Sequence, residues 1–316
     1  MEKFRTTMSE YYKTVSVDIK DKSQIEQMGT KTKFWFLNAS TNERWLFKYN
    51  RPKTGEDWSE KIASEIAELL EIPHAIVELA ECEGKKGVLS KDFTEETKRG
   101  NLVHGNELLT AIDPDYPSEQ YRKVSQHSID NITQILKSGF AGLPRGYSAP
   151  SNVTNAVDLF LGYLTLDALI GNIDRHHENW GVLVYQEKSK WYAELAPTYD
   201  HASSLGRELQ EEKRISLLSG KIRNANIETY ANKARSAIYL NVDDKKALPT
   251  IEAFIEFSKH STEARKVWLD KLAGIVDDTL IKLVKRVPRE RLSTESAEFV
   301  YQLLLFNKQR LLDIGF

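Results

Sequence analysis

The 316-residue chain has one cysteine, Cys82, with only 3 methionines, 9 prolines and 16 glycines. A lone thiol builds neither an intrachain disulfide framework nor a thiolate zinc cluster. A reducing compartment, the cytoplasm, is therefore expected, and Cys82 reads as a small apolar residue. The scarcity of Gly and Pro excludes fibrous and low-complexity classes. Charge of one sign is also missing: 44 Lys and Arg face 46 Asp and Glu, a net charge of −2. No basic excess points to nucleic acid, so direct nucleic-acid binding is not expected. The segment Met1 to Glu10 lacks the apolar core of a signal peptide. The most apolar stretch, Ala156 to Ile173, is interrupted by Asp158 and Asp167 and reads as a buried helix, not a membrane span. What is present, 41% hydrophobic and 28% charged residues, describes a folded chain able to bury a core as one large domain or two lobes.

The first part of the chain reads as β-rich. Thr14 to Asp18 is a strand candidate, and the aromatic segments Lys33 to Asn38 and Arg44 to Tyr49 form a hairpin across the polar turn Ala39 to Glu43. A helix follows, with Asp57 as its cap and Glu60 three residues on. Trp58, Ile62, Ile66, Leu69 and Leu70 make its apolar stripe. Ala75 to Leu79 and Lys86 to Ser90 complete a small sheet. Beyond it, Ser118 to Lys137 reads as a polar helix and Gly139 to Ser151, with three Gly and two Pro, as a mobile loop. Asn155 to Ile170 is the buried helix, and Gly181 to Gln186 with Trp191 to Ala196 a second hairpin. Helical patterns then run over 251–259, 262–276, 279–285 and 296–312. This gives an α+β fold with a β-rich lobe over 1–95, a helical lobe over 96–316, and a ligand cleft between them.

The chemistry concentrates in Leu169 to Leu205. Asp174 and Asn179 lie in a short loop before the second hairpin, and Asp200 follows it. If Gln186 faces Trp191, counting outward sets Asn179 opposite Thr198 and beside Asp200. Two carboxylates and an amide oxygen are hard ligands suited to Mg²⁺ on phosphates. The set meets the needs of phosphoryl transfer: one Asp orients the attacking hydroxyl, and an Asn and a second Asp hold the metal. Any of these residues alone would read as a turn cap or a solvated loop side chain. His176, His177 and His201 invite a zinc reading, but adjacent histidines rarely share one ion; His176 is expected to pack beneath the loop and His177 to be exposed.

DRHHEN, a hairpin and then YDHASSLG resemble the catalytic segment of the HipA-like bacterial serine/threonine kinases. The resemblance runs over about residues 14 to 315. It implies a bilobal, protein-kinase-like α+β fold and an ATP- and Mg²⁺-dependent transfer to Ser or Thr of a protein substrate. It implies Asp174 as catalytic residue and Asn179 and Asp200 as metal ligands. Gly29, Thr30, Lys31, Thr32 and Lys33 stand where the family has its phosphate loop, with Thr30 and Thr32 as the available autophosphorylation acceptors in place of the commoner serines. Lys48 stands as the nucleotide lysine, and Glu60 on the following helix as its partner. Val88 to Phe93 stand as the hinge, touching adenine through the backbone at Lys91 and Phe93. Lys233 to Ser236 also resemble the family's helical lobe. The phosphate loop departs from a G-x-G-x-x-G pattern, and the chain leaves little room for the extra N-terminal module of longer members, so the short, kinase-core type is expected.

The residues support these roles on their own terms. Lys48 shares its strand face with Leu46, opposite Trp45, Phe47 and Tyr49, so its stem can lie along the sheet while the ammonium reaches a phosphate. Glu60 falls on the helix flank of Ala63, Ser64 and Ala67, small residues that admit a sheet, whereas Glu65 and Glu68 turn to solvent. The residues themselves specify only transfer to a hydroxyl, which leaves a small-molecule or lipid kinase, or a non-catalytic nucleotide- or partner-binding module, as alternatives. A toxin role with a separate antitoxin chain and export as an effector both stay open.

Overall fold

The computed structural model describes residues 11–26, 32–38, 40–94, 100–120 and 122–315. Gly29, Thr30 and Lys31 lie outside these residues.

Six strands form the first sheet: β1 (Thr14–Val17), β2 (Lys22–Glu26), β3 (Lys33–Asn38), β4 (Glu43–Tyr49), β5 (Val77–Cys82) and β6 (Lys85–Lys91). Their order is β1-β5-β6-β4-β3-β2, antiparallel except for the β1/β5 pair. Alternation sends Phe47, with Trp45 and Tyr49, into a small aromatic cluster with Phe34, Phe36, Leu89 and Cys82. Lys48 and Leu46 face the other way, toward helix α1 (Glu56–Leu69). Phe34 and Phe47, paired across the β3/β4 ladder, stack at 5.2 Å.

The N-cap of helix α1 is Gly55, not Asp57, and its first residue is Glu56. Asp57 is buried in the first turn and pairs with Arg291 at 2.5 Å, which ties α1 to the C-terminal part of the chain. Trp58, Ile62, Ile66 and Leu70 enter the large core, but Leu69 is exposed. Glu65 is not left to solvent, since it pairs with Lys61 on the next turn at 2.7 Å.

A second, three-stranded sheet, β7-β8-β9, joins β7 (Asn101–His104), β8 (Gly181–Glu187) and β9 (Lys190–Leu195). Around it stand helices α2 (Gly105–Ile112), α3 (Ile129–Lys137), α4 (Ala156–Ile170), α5 (Glu211–Ser219), α6 (Ile227–Ala231), α7 (Thr250–Ser258), α8 (Thr262–Gly274), α9 (Asp277–Lys285) and α10 (Thr294–Asp313). Every residue of α4 is buried, as an all-round apolar helix requires. Its two acids are accounted for. Asp158 accepts from the Thr154 backbone N–H at 2.8 Å and from Asn155 Nδ2 at 2.8 Å, and Asp167 belongs to the site below. No helix among the described residues is long and apolar enough to cross a membrane.

The expected helix over 118–137 shrinks to α3, capped by Ser128, whose Oγ accepts from the Asn131 N–H. The polar stretch before it has no apolar face to bury, so it runs as turns. The Gly/Pro segment 139–151 is fastened rather than loose. Gly142 N–H donates to Ala193 O at 2.9 Å, Leu195 N–H returns to Gly142 O at 2.9 Å, and the Tyr147 hydroxyl donates to Glu71 O at 3.0 Å.

Candidate active site

The site is built where α4 ends. Gly171 takes a left-handed conformation (φ 64°) and its N–H returns to Asp167 O, so the chain turns off the helix axis without the strain a Cβ would bring. The loop that follows is held from beneath by one buried charge pair. The Arg175 guanidinium is fully buried and forks onto Asp167, Nε to Oδ2 at 2.7 Å and Nη2 to Oδ1 at 2.8 Å. Its third nitrogen donates to Asn179 O at 2.7 Å. Asn172 Nδ2 adds a bond to Asp167 at 2.8 Å. One Asp inside an apolar helix thereby fixes both ends of the loop, and bidentate geometry sets its orientation as well as its position.

This frame places the chemical residues. Asn179 Nδ2 donates to Asp174 O at 2.7 Å, which commits the amide nitrogen and leaves Oδ1 as the acceptor atom. Ser203 Oγ donates to Asp174 Oδ2 at 3.1 Å, leaving Oδ1 of the same carboxylate for another partner. Asp200 sits beyond β9 with φ 57°, a left-handed position that Asp tolerates. The hairpin register is as counted, with Gln186 opposite Trp191.

Across the cleft, Lys48 Nζ lies 2.9 Å from Glu60 Oε1 and 3.4 Å from Asp200 Oδ1. Burial alone would lower the Lys48 pKa, but Asp200 and Glu60 outweigh it and raise it, so the ammonium stays charged. Lys48, Asp174, Asn179 and Asp200 all line one cavity of about 330 Å³, together with Lys33, Lys91 and Phe93. Thr32 is exposed at the start of β3, its carbonyl accepting the Tyr49 N–H at 3.2 Å. The segment after β6 is partly committed already: Lys91 N–H donates to Ile76 O at 2.9 Å and Asp92 N–H to Arg44 O at 3.0 Å. Lys91 therefore borders the cavity with a side chain paired to Glu43 at 2.9 Å, and its N–H is not offered to a ligand. Phe93 packs tilted against Tyr199, ring centroids 5.6 Å apart.

The histidines reverse their expected places. His177 is the buried one and His176 the half-exposed one. The Tyr116 hydroxyl lies 2.6 Å from His177 Nδ1, and His127, stacked on Trp180, sits 6.0 Å from the His177 ring. Burial pushes His127 down to about 3 and His177 to about 4, while burial and the neighbouring Arg175 hold His201 well below the usual range. All three rings are held neutral beneath the loop. Helix α2 closes this layer: Gly105 N–H donates to Trp180 O at 2.9 Å, and a Cβ on Gly105 would stand 2.4 Å from the Trp180 ring. Arg175, Asp167 and Ser203 were not singled out from sequence; an Asp within an apolar helix was the available signal for the first pair.

The profile of the HipA-like C-terminal domain matches residues 19–268. The chain belongs to the HipA-like family. Its fold agrees with solved HipA-like structures. The Helicobacter pylori proinflammatory kinase CtkA superposes with a TM-score of 0.70 at 19% identity, covering 96% of this chain and 97% of that one. HipA of Shewanella oneidensis, solved with HipB and operator DNA, gives 0.56 at 14% identity over 92% of this chain and 66% of that chain. No curated protein matches in sequence. Family and fold together mark this HipA-like chain as a kinase in general terms, a class that uses ATP and a divalent metal. The oxygen donors Asn179 Oδ1 and Asp200 fit a hard cation of that kind.

Proposed function

We propose that this HipA-like chain is an ATP- and Mg²⁺-dependent kinase that transfers the γ-phosphate to a Ser or Thr hydroxyl of a protein, with lobes 1–95 and 96–316 enclosing the nucleotide. The observation that carries the reading is Lys48, paired with the buried Glu60 and with Asp200, in a cavity that Asp174, Asn179 and Asp200 also line. Lys48 holds phosphate oxygens, steadied by Glu60. Asn179 and Asp200 hold Mg²⁺, which when bound neutralises phosphate charge. Asp174 Oδ1 accepts the acceptor proton as the hydroxyl oxygen bonds to the γ-phosphorus and the bond from that phosphorus to the departing ADP oxygen breaks. Phe93 contributes the adenine contact, and Lys33 with Thr30, Lys31 and Thr32 the phosphate-loop charge and hydroxyls. Autophosphorylation at Thr30 or Thr32 would add a dianion to the proposed phosphate loop, adjacent in sequence to Lys31 and Lys33, and would weaken ATP binding by like-charge repulsion.

A toxin or effector role is part of the same proposal, prompted by the HipA neighbour's toxin–antitoxin setting and CtkA's description as proinflammatory. A separate partner chain is a reasonable companion, since that HipA was solved with HipB. Because the same structure holds operator DNA, a balanced net charge carries no argument against nucleic acid in such an assembly. Incubation with γ-labelled ATP tests the reading. Label on Ser or Thr of a protein supports it. Label on a lipid or metabolite, or bound ATP that is never cleaved, would overturn it.

A further inference from the structure

Asp174 borders two cavities. One is the nucleotide cavity; the other, about 250 Å³, lies beside His177 and Arg207. Resting on the kinase reading, we propose that this second cavity seats an anionic group next to the acceptor hydroxyl, so that the preferred protein substrate carries an acidic or phosphorylated residue beside its Ser or Thr. Three cations, Arg122, Lys123 and Arg207, line the cavity, and its one carboxylate is Asp174 itself. Lys123 is exposed, is held in a left-handed conformation (φ 60°), and forms no ion pair among the described residues. Arg207 donates to Ser203 Oγ at 3.1 Å, and Ser203 donates to Asp174, so a cation is coupled to the catalytic carboxylate on this side.

A second, independent feature points to a ligand. His177, 1% exposed, lines the cavity, and among the described residues its Nε2 has no hydrogen-bond partner while Tyr116 lies at Nδ1. A buried ring nitrogen left open costs free energy that a polar ligand atom would recover. An anion would meet charge from Arg122 and Lys123 and a hydrogen bond from the imidazole. Carboxylate and phosphate esters share this chemistry.

The test uses the full chain with Mg-ATP and four peptides in which the acceptor Ser is flanked by Asp, phosphoserine, Ala or Lys. Acidic and phosphorylated peptides are expected to exceed the Ala peptide at least about tenfold in kcat/KM and in affinity read by fluorescence anisotropy, with the Lys peptide last. Asp against phosphoserine tells which anion fits. Lys123→Glu should erase the acidic preference while ATP affinity and the Ala-peptide rate stay unchanged. Equal affinities across the peptides, or an acidic preference undiminished in Lys123→Glu, overturn the inference and leave the kinase assignment intact. Failure to bind or cleave ATP sinks the kinase reading instead, and the anisotropy ordering still decides whether the cavity selects anions.

Discussion

The two flanks of Asp174 are built differently. On the nucleotide flank, charges face one another at short range: buried Lys48 with buried Glu60 and half-exposed Asp200, and buried Arg175 with Asp167 just beneath. On the acceptor flank the cations Arg122 and Lys123 are exposed on a run of turns. A nucleotide is the same molecule in every turnover, so fixed positions help catalysis without penalty. On the proposed reading a polypeptide acceptor would arrive in variable conformations, to which exposed long cations adapt. Rigid loop and permissive rim share one carboxylate, Asp174.

The largest way to break this contrast is to remove the loop's buried frame. Arg175→Met leaves Asp167 charged and buried, and should destabilise the fold by about 3–5 kcal/mol. The double variant Asp167→Leu/Arg175→Met should recover part of that loss. Urea unfolding measures both, and a double variant as unstable as the sum of the singles would argue against one ion pair.

The neutral histidine layer gives the next effect. Their folded pKa values lie below the ordinary one, so as pH falls below about 6.5 the unfolded chain takes up protons first. Stability is fully present above that pH and declines toward about 4 for His177 and about 3 for His127. Each ring contributes up to roughly 1.4 kcal/mol per pH unit across its window. Urea midpoints at pH 7.5 and 4.5 should drop accordingly, and His127→Gln should flatten the slope. A slope the variant leaves unchanged would show that His127 is not held neutral.

Asp200→Ala should abolish the Mg²⁺-dependent gain in ATP affinity, on the order of a hundredfold, because the triphosphate loses its bridged counter-ion. Calorimetric titration with and without Mg²⁺ reads it, and a variant that still tightens normally places the metal elsewhere. Smallest is the coupling of Lys48→Ala with Glu60→Ala, expected at about 1–3 kcal/mol in a double-mutant cycle on kcat/KM. Simple additivity would remove Glu60 from the site.

Much of this site was legible because it needed only local counting. Strand alternation set Lys48 opposite the aromatic face, the helix wheel turned Glu60 toward the sheet, and the counted register holds from Glu187–Lys190 to Val182–Leu195, beyond which Asn179 and Asp200 line one cavity. What escaped depends on distant partners. The Arg175–Asp167 fork joins a loop to a helix, and no periodicity announces it. Which of two adjacent histidines is buried is decided by Tyr116 and His127, from other segments. Strand β2 carries no apolar alternation, β7 is four residues long, and α5 is too polar for a stripe, so each is stabilised by neighbours and not by its own pattern. By composition the Gly/Pro segment reads as a mobile loop, because its anchors, Ala193 and Glu71, lie elsewhere in the chain.

The central claim is that Asp174 serves the transfer step and not nucleotide binding. Asp174→Asn keeps the side-chain volume and the backbone carbonyl that holds Asn179, but removes the proton-accepting carboxylate. ATP affinity by titration and phosphate transfer by single-turnover labelling should then part: affinity within about twofold of wild type, transfer lower by roughly 10²–10⁴-fold. Transfer within a few-fold of wild type, at unchanged affinity, would contradict the account.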